Sequence, residues 1–234
     1  MIILKLKEKK NFQDMTNLKT FNIEKARELQ RKIAKKVILY DDFLNPPQTV
    51  AGLDVSYKNK KAFAVAVILD YKNLKLLENK SISMDIKFPY IPTLLSFREV
   101  KPLSAVIEKL EIKPDVFLVD AHGIAHPYFS GCASHLGVSL DIPTIGVAKK
   151  KLVGDYNNPA NKKGTWTLLK YQDQIIGAVL RTKKDCKPLF ISTGHKVSLK
   201  SALKIVIETT KKYKHPEPLR LAHLLTKKVS TTKK

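Results

Sequence analysis

The chain has 234 residues, of which 44% are hydrophobic, so it can fold as a globular domain and is not typical of disordered proteins. Its 43 Lys and Arg residues outnumber its 21 Asp and Glu residues, and the resulting net charge of +22 favours an acidic partner. Nucleic acid is the leading candidate. The alternatives are an anionic membrane surface, or a bias towards lysine in the coding sequence that serves no binding function.

The first elements along the chain are a helix and three strands. Residues 1–20 are basic and weakly patterned, and they form either an edge strand or a loose leader. Apolar residues at helical spacing predict a helix over Phe21–Leu39, whose basic face is either solvated or in contact with nucleic acid. After the stop at Asn45–Pro47, we predict an antiparallel meander of three strands: Thr49–Tyr57, Lys61–Tyr71 and Lys75–Asp85.

Buried strands and helices alternate in the second half. We predict helices over Thr93–Leu110, which Pro102 should break or bend, and over Ser130–Leu140. The apolar runs Asp115–Asp120 and Pro143–Ala148 are typical of strands covered on both faces. The remaining predictions are a hairpin around Gln172-Asp173, a short strand Leu189–Ser192 and a helix Ser198–Lys211 capped by Ser198. The pattern indicates an α/β fold with a mixed sheet covered by helices.

One domain accounts for this pattern. We expect residues 1–20 to be a basic leader, residues 21–213 a single catalytic domain, and residues 214–234 a basic tail that is partly disordered. The two cysteines, Cys132 and Cys186, do not form a disulfide framework. We find no apolar run long enough to span a membrane and no signal peptide pattern, so we expect a cytoplasmic protein.

Three acidic residues stand out by position. Asp54 lies inside the apolar strand Val50–Val55, Asp120 ends the apolar run Val116–Val119, and Glu99 faces inward in the helix after the meander. Each alone is more typical of a cap, a salt bridge or an edge position. Together they resemble a carboxylate cluster for Mg²⁺ or Mn²⁺, ions that prefer oxygen ligands and activate water at phosphoryl groups.

Two basic side chains could complete such a site. Lys149 follows the strand Pro143–Ala148, as Asp120 follows its own strand, and could stabilise a phosphoryl transition state. His195 follows the short strand Leu189–Ser192 and is either a proton carrier or a hydrogen-bonded structural histidine. His122 and His126 lie in a turn, and no Cys/His set has zinc spacing.

Longer stretches around these residues resemble the endonuclease V family. They are Asp120–Pro127 (DAHGIAHP) with Ala133–Val138, Asp141–Lys149 (DIPTIGVAK), Ala51–Ser56 (AGLDVS), Pro89–Pro92 (PYIP) with Phe97–Glu99, and Gly194–Leu199 (GHKVSL). They occur in order across residues 22–211, and the combination is highly specific.

The resemblance implies an RNase H-like fold and Mg²⁺-dependent cutting of nucleic acid near inosine, the product of adenine deamination. The cut would fall at the second phosphodiester bond 3′ to inosine and leave 3′-hydroxyl and 5′-phosphate ends. It further implies that Asp54, Glu99 and Asp120 are the catalytic acids, with Asp54 and Asp120 as direct metal ligands, and that Lys149 and His195 belong to the active site. We expect Mn²⁺ to substitute for Mg²⁺, the protein to be a monomer, and its partner to be inosine-containing DNA or RNA rather than a membrane.

Two further stretches match the family's substrate-binding positions. Pro89, Tyr90, Ile91 and Pro92 match a strand-separating wedge, in which prolines stiffen the loop and an aromatic ring stacks on bases. Ala121, Gly123, Ile124 and His126 fall where the family builds a pocket for the flipped base. Ala121 and Thr93 stand where glycine is common in the family, so each narrows the room near the lesion.

Other functions remain open at this point. A nuclease of RNase H or junction type would use the same acids without the wedge or the pocket. A non-catalytic nucleic-acid-binding protein would use only the positive field, and its binding would depend strongly on salt. Within the resemblance, the sequence favours DNA over RNA only slightly.

Overall fold

The computed structural model describes residues 22–86 and 88–232. The helices are α1 Ile23–Ala34, α2 Leu95–Ile107, α3 Cys132–Leu140, α4 Leu199–Glu208 and α5 Glu217–Thr232. The strands are β1 Thr49–Lys58, β2 Lys61–Asp70, β3 Leu76–Asp85, β4 Val116–Val119, β5 Thr144–Ala148, β6 Trp166–Tyr171, β7 Gln174–Leu180 and β8 Leu189–His195.

The eight strands form one mixed sheet in the order β3-β2-β1-β4-β5-β8-β7-β6. The β1–β2–β3 meander is antiparallel as predicted, and β4 and β5 add to β1 in parallel. Gln172 and Asp173, at the predicted hairpin, have positive φ angles of 48° and 58°, which match the twist of the strands that they connect. The parallel centre brings the carboxyl ends of β1, β4 and β5 to the same end of the sheet.

Helices cover both faces of this sheet, which confirms the predicted α/β architecture. On one face, α4 and α5 pack through Ala202, Val206 and Leu219 on alternate residues of the central strands, including Val50 and Leu118. On the other face, α2 and α3 pack on the intervening residues, including Leu53 and Phe117. Because successive side chains of a strand point to opposite faces, both sides of the central strands are apolar.

Pro102 does not break α2, so the first of the two predicted outcomes, a break or a bend, is wrong. The helix runs continuously over Leu95–Ile107, and the Pro102 side chain is buried inside it. Proline removes one backbone donor from a helix. We attribute the continuity to packing, because Val100, Leu103 and Val106 anchor the helix to the sheet on both sides of this position.

The predicted tail at residues 214–234 is instead largely an ordered helix. Helix α5 packs on β1 and β2 and contributes Leu219 and Ala222 to the core, while Leu225 and Val229 pack against it. These residues recur at helical spacing, a pattern that was overlooked because the segment was read as a basic tail. Residues 1–20, predicted as a basic leader, lie outside the described residues. Between residues 22 and 232, apart from residue 87, none of the helices is both long and apolar enough to cross a bilayer.

Candidate functional site

Two of the predicted acids meet at the carboxyl end of the central strands. Asp120 follows β4, and its backbone N–H donates to the Leu53 carbonyl oxygen of β1, 3.3 Å away. Asp54 follows Leu53, so strand periodicity points it to the face of the sheet that carries α5. Asp120 is two and four positions after Leu118 and Val116, which point to that same face, so it points there as well. The pairing of two parallel strands therefore brings together two acids that are 66 positions apart in the chain.

Asp54 is only 8% exposed, and α5 supplies its polar partners. Thr226 Oγ1 donates to Asp54 Oδ2 at 2.6 Å, and His223 Nδ1 lies 3.1 Å from the same oxygen. Burial raises the pKa of Asp54, and the charge of Asp120 raises it further, whereas the bonds from Thr226 and His223 lower it. Helix α5 thus stabilises the charged carboxylate that burial opposes.

Glu99 reaches the same place from α2, on the opposite face of the sheet. The Tyr57 hydroxyl donates to Glu99 Oε1 at 3.1 Å, and the Arg98 guanidinium lies 4.0 Å from the centroid of the Tyr57 ring. Burial raises the pKa of Glu99 to about 8, and the charges of Asp54 and Asp120 act in the same direction. The charge of Asp120 thus opposes the ionisation of both Asp54 and Glu99, and a bound cation would stabilise their charged forms.

Lys149 is beside these acids, as its position after β5 predicted. Its Nζ forms an ion pair with Asp120 Oδ2. A cavity of about 280 Å³ opens at this end of the sheet, and its lining includes Asp54, Glu99, Asp120, Lys149 and His223. The carboxylates and the lysine that the sequence singled out thus line one cavity.

The donor atoms in this cavity fit a divalent cation. One ligand atom each from Asp54, Asp120 and His223 lies within 4.8 Å of the other two. Two carboxylates suit Mg²⁺ or Mn²⁺, and the imidazole nitrogen suits Mn²⁺ better than Mg²⁺. His223 and Thr226 were not among the predicted site residues, because their segment was expected to be a basic tail. The apolar spacing of α5 is the signal that would have placed both residues beside Asp54.

His195 lies elsewhere, which corrects its predicted place in the active site. It is the last residue of β8 and pairs with Thr144 at the start of β5, whereas Lys149 follows the end of β5. His195 is 3% exposed, its Nδ1 accepts from the Ile38 N–H at 3.2 Å, and its Nε2 lies 3.4 Å from Asp141 Oδ1. The antiparallel pairing of β5 and β8 explains the error, because it sends the two strand ends to opposite ends of the sheet.

The Pro89–Pro92 stretch is an exposed loop directly before α2. The Tyr90 side chain is 67% exposed, while Phe88 and Leu94 on either side of the loop are buried. Thr93, between the loop and Leu94, has a φ of +69°, a left-handed conformation that is unfavourable for a β-branched residue. The loop therefore presents an aromatic ring to solvent from two buried anchors.

The segment predicted to form a base pocket packs closely on the protein itself. A Cβ on Gly123 would lie 2.0 Å from the Thr193 carbonyl oxygen, and the Gly123 N–H donates to Ser192 Oγ at 2.9 Å. The Ile124 N–H donates to Thr193 O at 2.8 Å, and Ala121 is 6% exposed. The missing side chain of Gly123 therefore allows its backbone to lie against β8.

His126 is held inside this segment. Its Nδ1 accepts from the Tyr128 N–H at 3.2 Å, which leaves Nε2 as the protonated nitrogen 2.9 Å from the Thr93 carbonyl oxygen. Burial lowers the pKa of His126 to about 4, so the ring is neutral at pH 7. Both ring nitrogens are occupied by bonds within the protein, and the ring connects the pocket segment to the end of the exposed loop.

Comparisons with known proteins identify relatives over nearly the whole chain. The Endonuclease V family model matches residues 31–224. Endonuclease V of Dictyoglomus thermophilum is 44% identical over 210 residues, which cover 90% of this chain and 92% of that protein. The crystal structure of Endonuclease V from Streptomyces avermitilis has a TM-score of 0.85 at 35% identity and covers 90% of this chain and 94% of that one.

A third relative was solved with a nucleic acid. Endonuclease V of Ciona intestinalis, in complex with a 24mer DNA containing an inosine followed by a ribo-adenosine, has a TM-score of 0.79 at 28% identity. It covers 91% of this chain and 99% of the Ciona chain. The matched family region contains Asp54, Glu99, Asp120, Lys149 and His223, and the TM-scores show that the solved relatives have the same fold. The chain belongs to the Endonuclease V family of nucleases.

Proposed function

We propose that this protein is a metal-dependent endonuclease that recognises inosine in nucleic acid, DNA foremost, and acts in DNA repair. It hydrolyses the second phosphodiester bond 3′ to inosine and leaves 3′-hydroxyl and 5′-phosphate ends. The observation that carries this proposal is the convergence of Asp54, Glu99, Asp120 and His223 from four elements on one cavity, with Lys149 beside them.

Asp54, Asp120 and His223 are the residues that would hold the ion, with Glu99 nearby. When bound, Mg²⁺ or Mn²⁺ would neutralise charge on the phosphoryl group and make water more acidic. Thr226 keeps Asp54 oriented and charged through its 2.6 Å bond. Lys149 shares Asp120 and is placed to interact with a phosphate oxygen as negative charge develops there.

The exposed loop Pro89–Thr93, hereafter the wedge loop, is the part that opens the base stack. Tyr90 can stack on a base face, and Pro89 and Pro92 restrict the backbone around it. Extruding a base costs a few kcal/mol and costs less for a mispaired base, which favours inosine. The segment Gly123–Ser130 with Ala121, hereafter the pocket segment, lies next to this loop through His126 and would receive the base.

DNA and RNA are the two substrate classes for such a site. The Ciona relative was crystallised with DNA in which a ribo-adenosine follows the inosine, so a ribonucleotide can occupy that position in a related complex. That observation keeps an inosine-specific ribonuclease as the second candidate function. The two candidate functions differ in whether the site accepts deoxyribose or ribose in the strand that carries inosine.

The test is a side-by-side cleavage assay with Mg²⁺. Three labelled 24-nucleotide duplexes carry one inosine in DNA, in RNA, or in DNA with a ribo-adenosine on its 3′ side, and adenine replaces inosine in the controls. We expect inosine-dependent cutting at the second bond, with the DNA substrate cut at least as fast as the others. Equal cutting of the adenine controls would support a general nuclease, and salt-sensitive binding without cutting would support a non-catalytic binding protein.

A further inference from the structure

The wedge loop is anchored by α1, at the edge of the region that the family model matches. Gln30 is fully buried, and its Nε2 donates to the Thr93 carbonyl oxygen at 2.7 Å. The same nitrogen lies 3.4 Å from the Ser130 carbonyl oxygen, at the end of the pocket segment. One side-chain amide therefore joins the last residue of the wedge loop to the last residue of the pocket segment.

The Thr93 carbonyl has a second donor. His126 Nε2 lies 2.9 Å from it, and the Tyr128 N–H fixes the ring orientation by donating to Nδ1. Thr93 holds a φ of +69°, and such a conformation persists only where several contacts determine it. Gln30 and His126 supply these contacts from two different elements.

Apolar packing from α1 reaches both ends of the wedge loop. Ala26 belongs to one buried cluster with Phe88, which precedes the loop, and Leu94, which follows it. Leu29 and Ile91 pack against this cluster. Two arginines of α1, Arg27 and Arg31, lie with their guanidinium carbons 5.8 and 5.1 Å from the centroid of the Tyr128 ring in the pocket segment.

A loop that opens a base stack has to be rigid. Separating a base from its neighbours costs a few kcal/mol, and a loop free to move would be displaced by the intact stack. The wedge loop is exposed at Tyr90, so its stiffness has to come from its ends. The polar anchor at Thr93 is the one that also sets the distance between wedge loop and pocket segment.

We propose that Gln30 is a positioning residue that fixes the wedge loop against the pocket segment, so that strand opening and base capture occur in one rigid unit. This inference rests on the proposed function. Gln30 touches no reacting atom, and its effect is confined to substrates whose bases must be separated. An inosine strand without a complement needs no strand separation, so its cleavage reports base capture and the metal site without the opening step.

The test compares Gln30→Met with Ile33→Val. Methionine keeps the length of the side chain and removes the donor, whereas Ile33→Val removes one methyl group from a buried α1 residue that does not bond Thr93. For Gln30→Met we expect kcat/KM on the inosine duplex to fall by about 3- to 10-fold, and on the single strand by less than about twofold. Ile33→Val should leave the ratio of the two substrates unchanged.

A binding measurement separates this inference from the proposed function. With EDTA present, 2-aminopurine beside the inosine should brighten when the unmodified protein unstacks it, and brighten less with saturating Gln30→Met. Equal brightening, or an unchanged duplex to single-strand ratio, would overturn the role of Gln30 while leaving the nuclease intact. Absence of inosine-specific cutting by the unmodified protein would overturn the proposed function, and the fluorescence would still decide whether Gln30 governs unstacking.

Discussion

At the scale of single residues, the candidate site depends on how Asp54 stays charged while buried. An ionised carboxylate is costly to bury unless donors compensate it. Thr226 and His223 are those donors, and both come from α5. No sequence motif marks either residue; they only lie in a segment whose apolar residues recur at helical spacing. The carboxylates were therefore predicted and their hydrogen-bond partners were not.

We expect Thr226→Val to destabilise the metal-free protein by about 1–3 kcal/mol, because a buried carboxylate oxygen loses its short bond. Cutting of an inosine strand should fall as well, since the charged form of Asp54 loses support. Urea unfolding measures the first effect. Thr226→Ser keeps the hydroxyl and should stay near the unmodified protein; equal losses in both variants would show that the methyl group, not the bond, matters.

Glu99→Gln should separate stability from activity. Because the folded state raises the pKa of Glu99 to about 8, the unfolded chain loses this proton first as pH rises above about 4.5. The metal-free protein should therefore lose stability between those pH values, and Glu99→Gln should reduce this loss while impairing cutting. Thermal unfolding with EDTA from pH 5 to 8.5 measures the effect. A variant whose pH dependence matches that of the unmodified protein would contradict it.

Strand direction explains which of the predicted site residues lie at the cavity and which do not. Asp120 and Lys149 were read as strand-end residues and Asp54 as a residue inside a strand, and the parallel pairing of β1, β4 and β5 brings the three together. His195 also ends a strand, but β8 is antiparallel to β5, and the sequence carries no local signal for strand direction. Its burial and its bonds to Ile38 and Asp141 fit the structural alternative considered for it.

At the scale of elements, α5 connects the fold to the site. It crosses β1 so closely at Gly52 that a Cβ there would lie 2.2 Å from the backbone of Pro218. That contact sets the position of the helix along the strand. His223 and Thr226 follow Pro218 in the same helix, so this contact also sets where the two residues lie beside Asp54.

Gly52→Ala should therefore displace α5 from β1. We expect lower thermal stability, faster trypsin cleavage at Lys227 and Lys228, and loss of cutting, since Asp54 loses both partners. The control is Ala51→Gly, which changes the adjacent residue on the opposite face and should cost about 0.5–1 kcal/mol without releasing the helix. Trypsin resistance of α5 in Gly52→Ala would contradict the close-approach argument.

Local patterns predicted most of the elements and could not order them in space. The meander, both buried strands, the hairpin and α4 follow from apolar periodicity and turn residues that lie within a few positions of each other. The insertion of β4 and β5 between β1 and β8 depends on pairings far apart in the chain, which local patterns do not predict. Helix α5 was missed because its segment was read as a basic, low-complexity tail, although only two of the sixteen residues of Glu217–Thr232 are lysine.

At the scale of the whole molecule, charge and architecture support the same substrate class. A net charge of +22 attracts a phosphate backbone regardless of sequence, so it cannot by itself select a lesion. The acids Asp54, Glu99 and Asp120 form a locally negative site within this positive field. A bound cation would allow the negatively charged phosphate backbone to approach them. Selectivity then depends on the wedge loop and the pocket segment, which α1 holds as one unit.

We propose that metal-dependent cutting of an inosine strand depends on the Asp54 and Asp120 carboxylates. The most direct measurement is the cleavage rate of an inosine duplex with Mg²⁺ for Asp54→Asn, Asp120→Asn and the exposed control Asp173→Asn. We predict that EDTA stops the unmodified protein, that each site variant loses at least about 10²-fold in rate while still binding the duplex, and that the control is unchanged. Cutting by either site variant at the rate of the control would contradict the account.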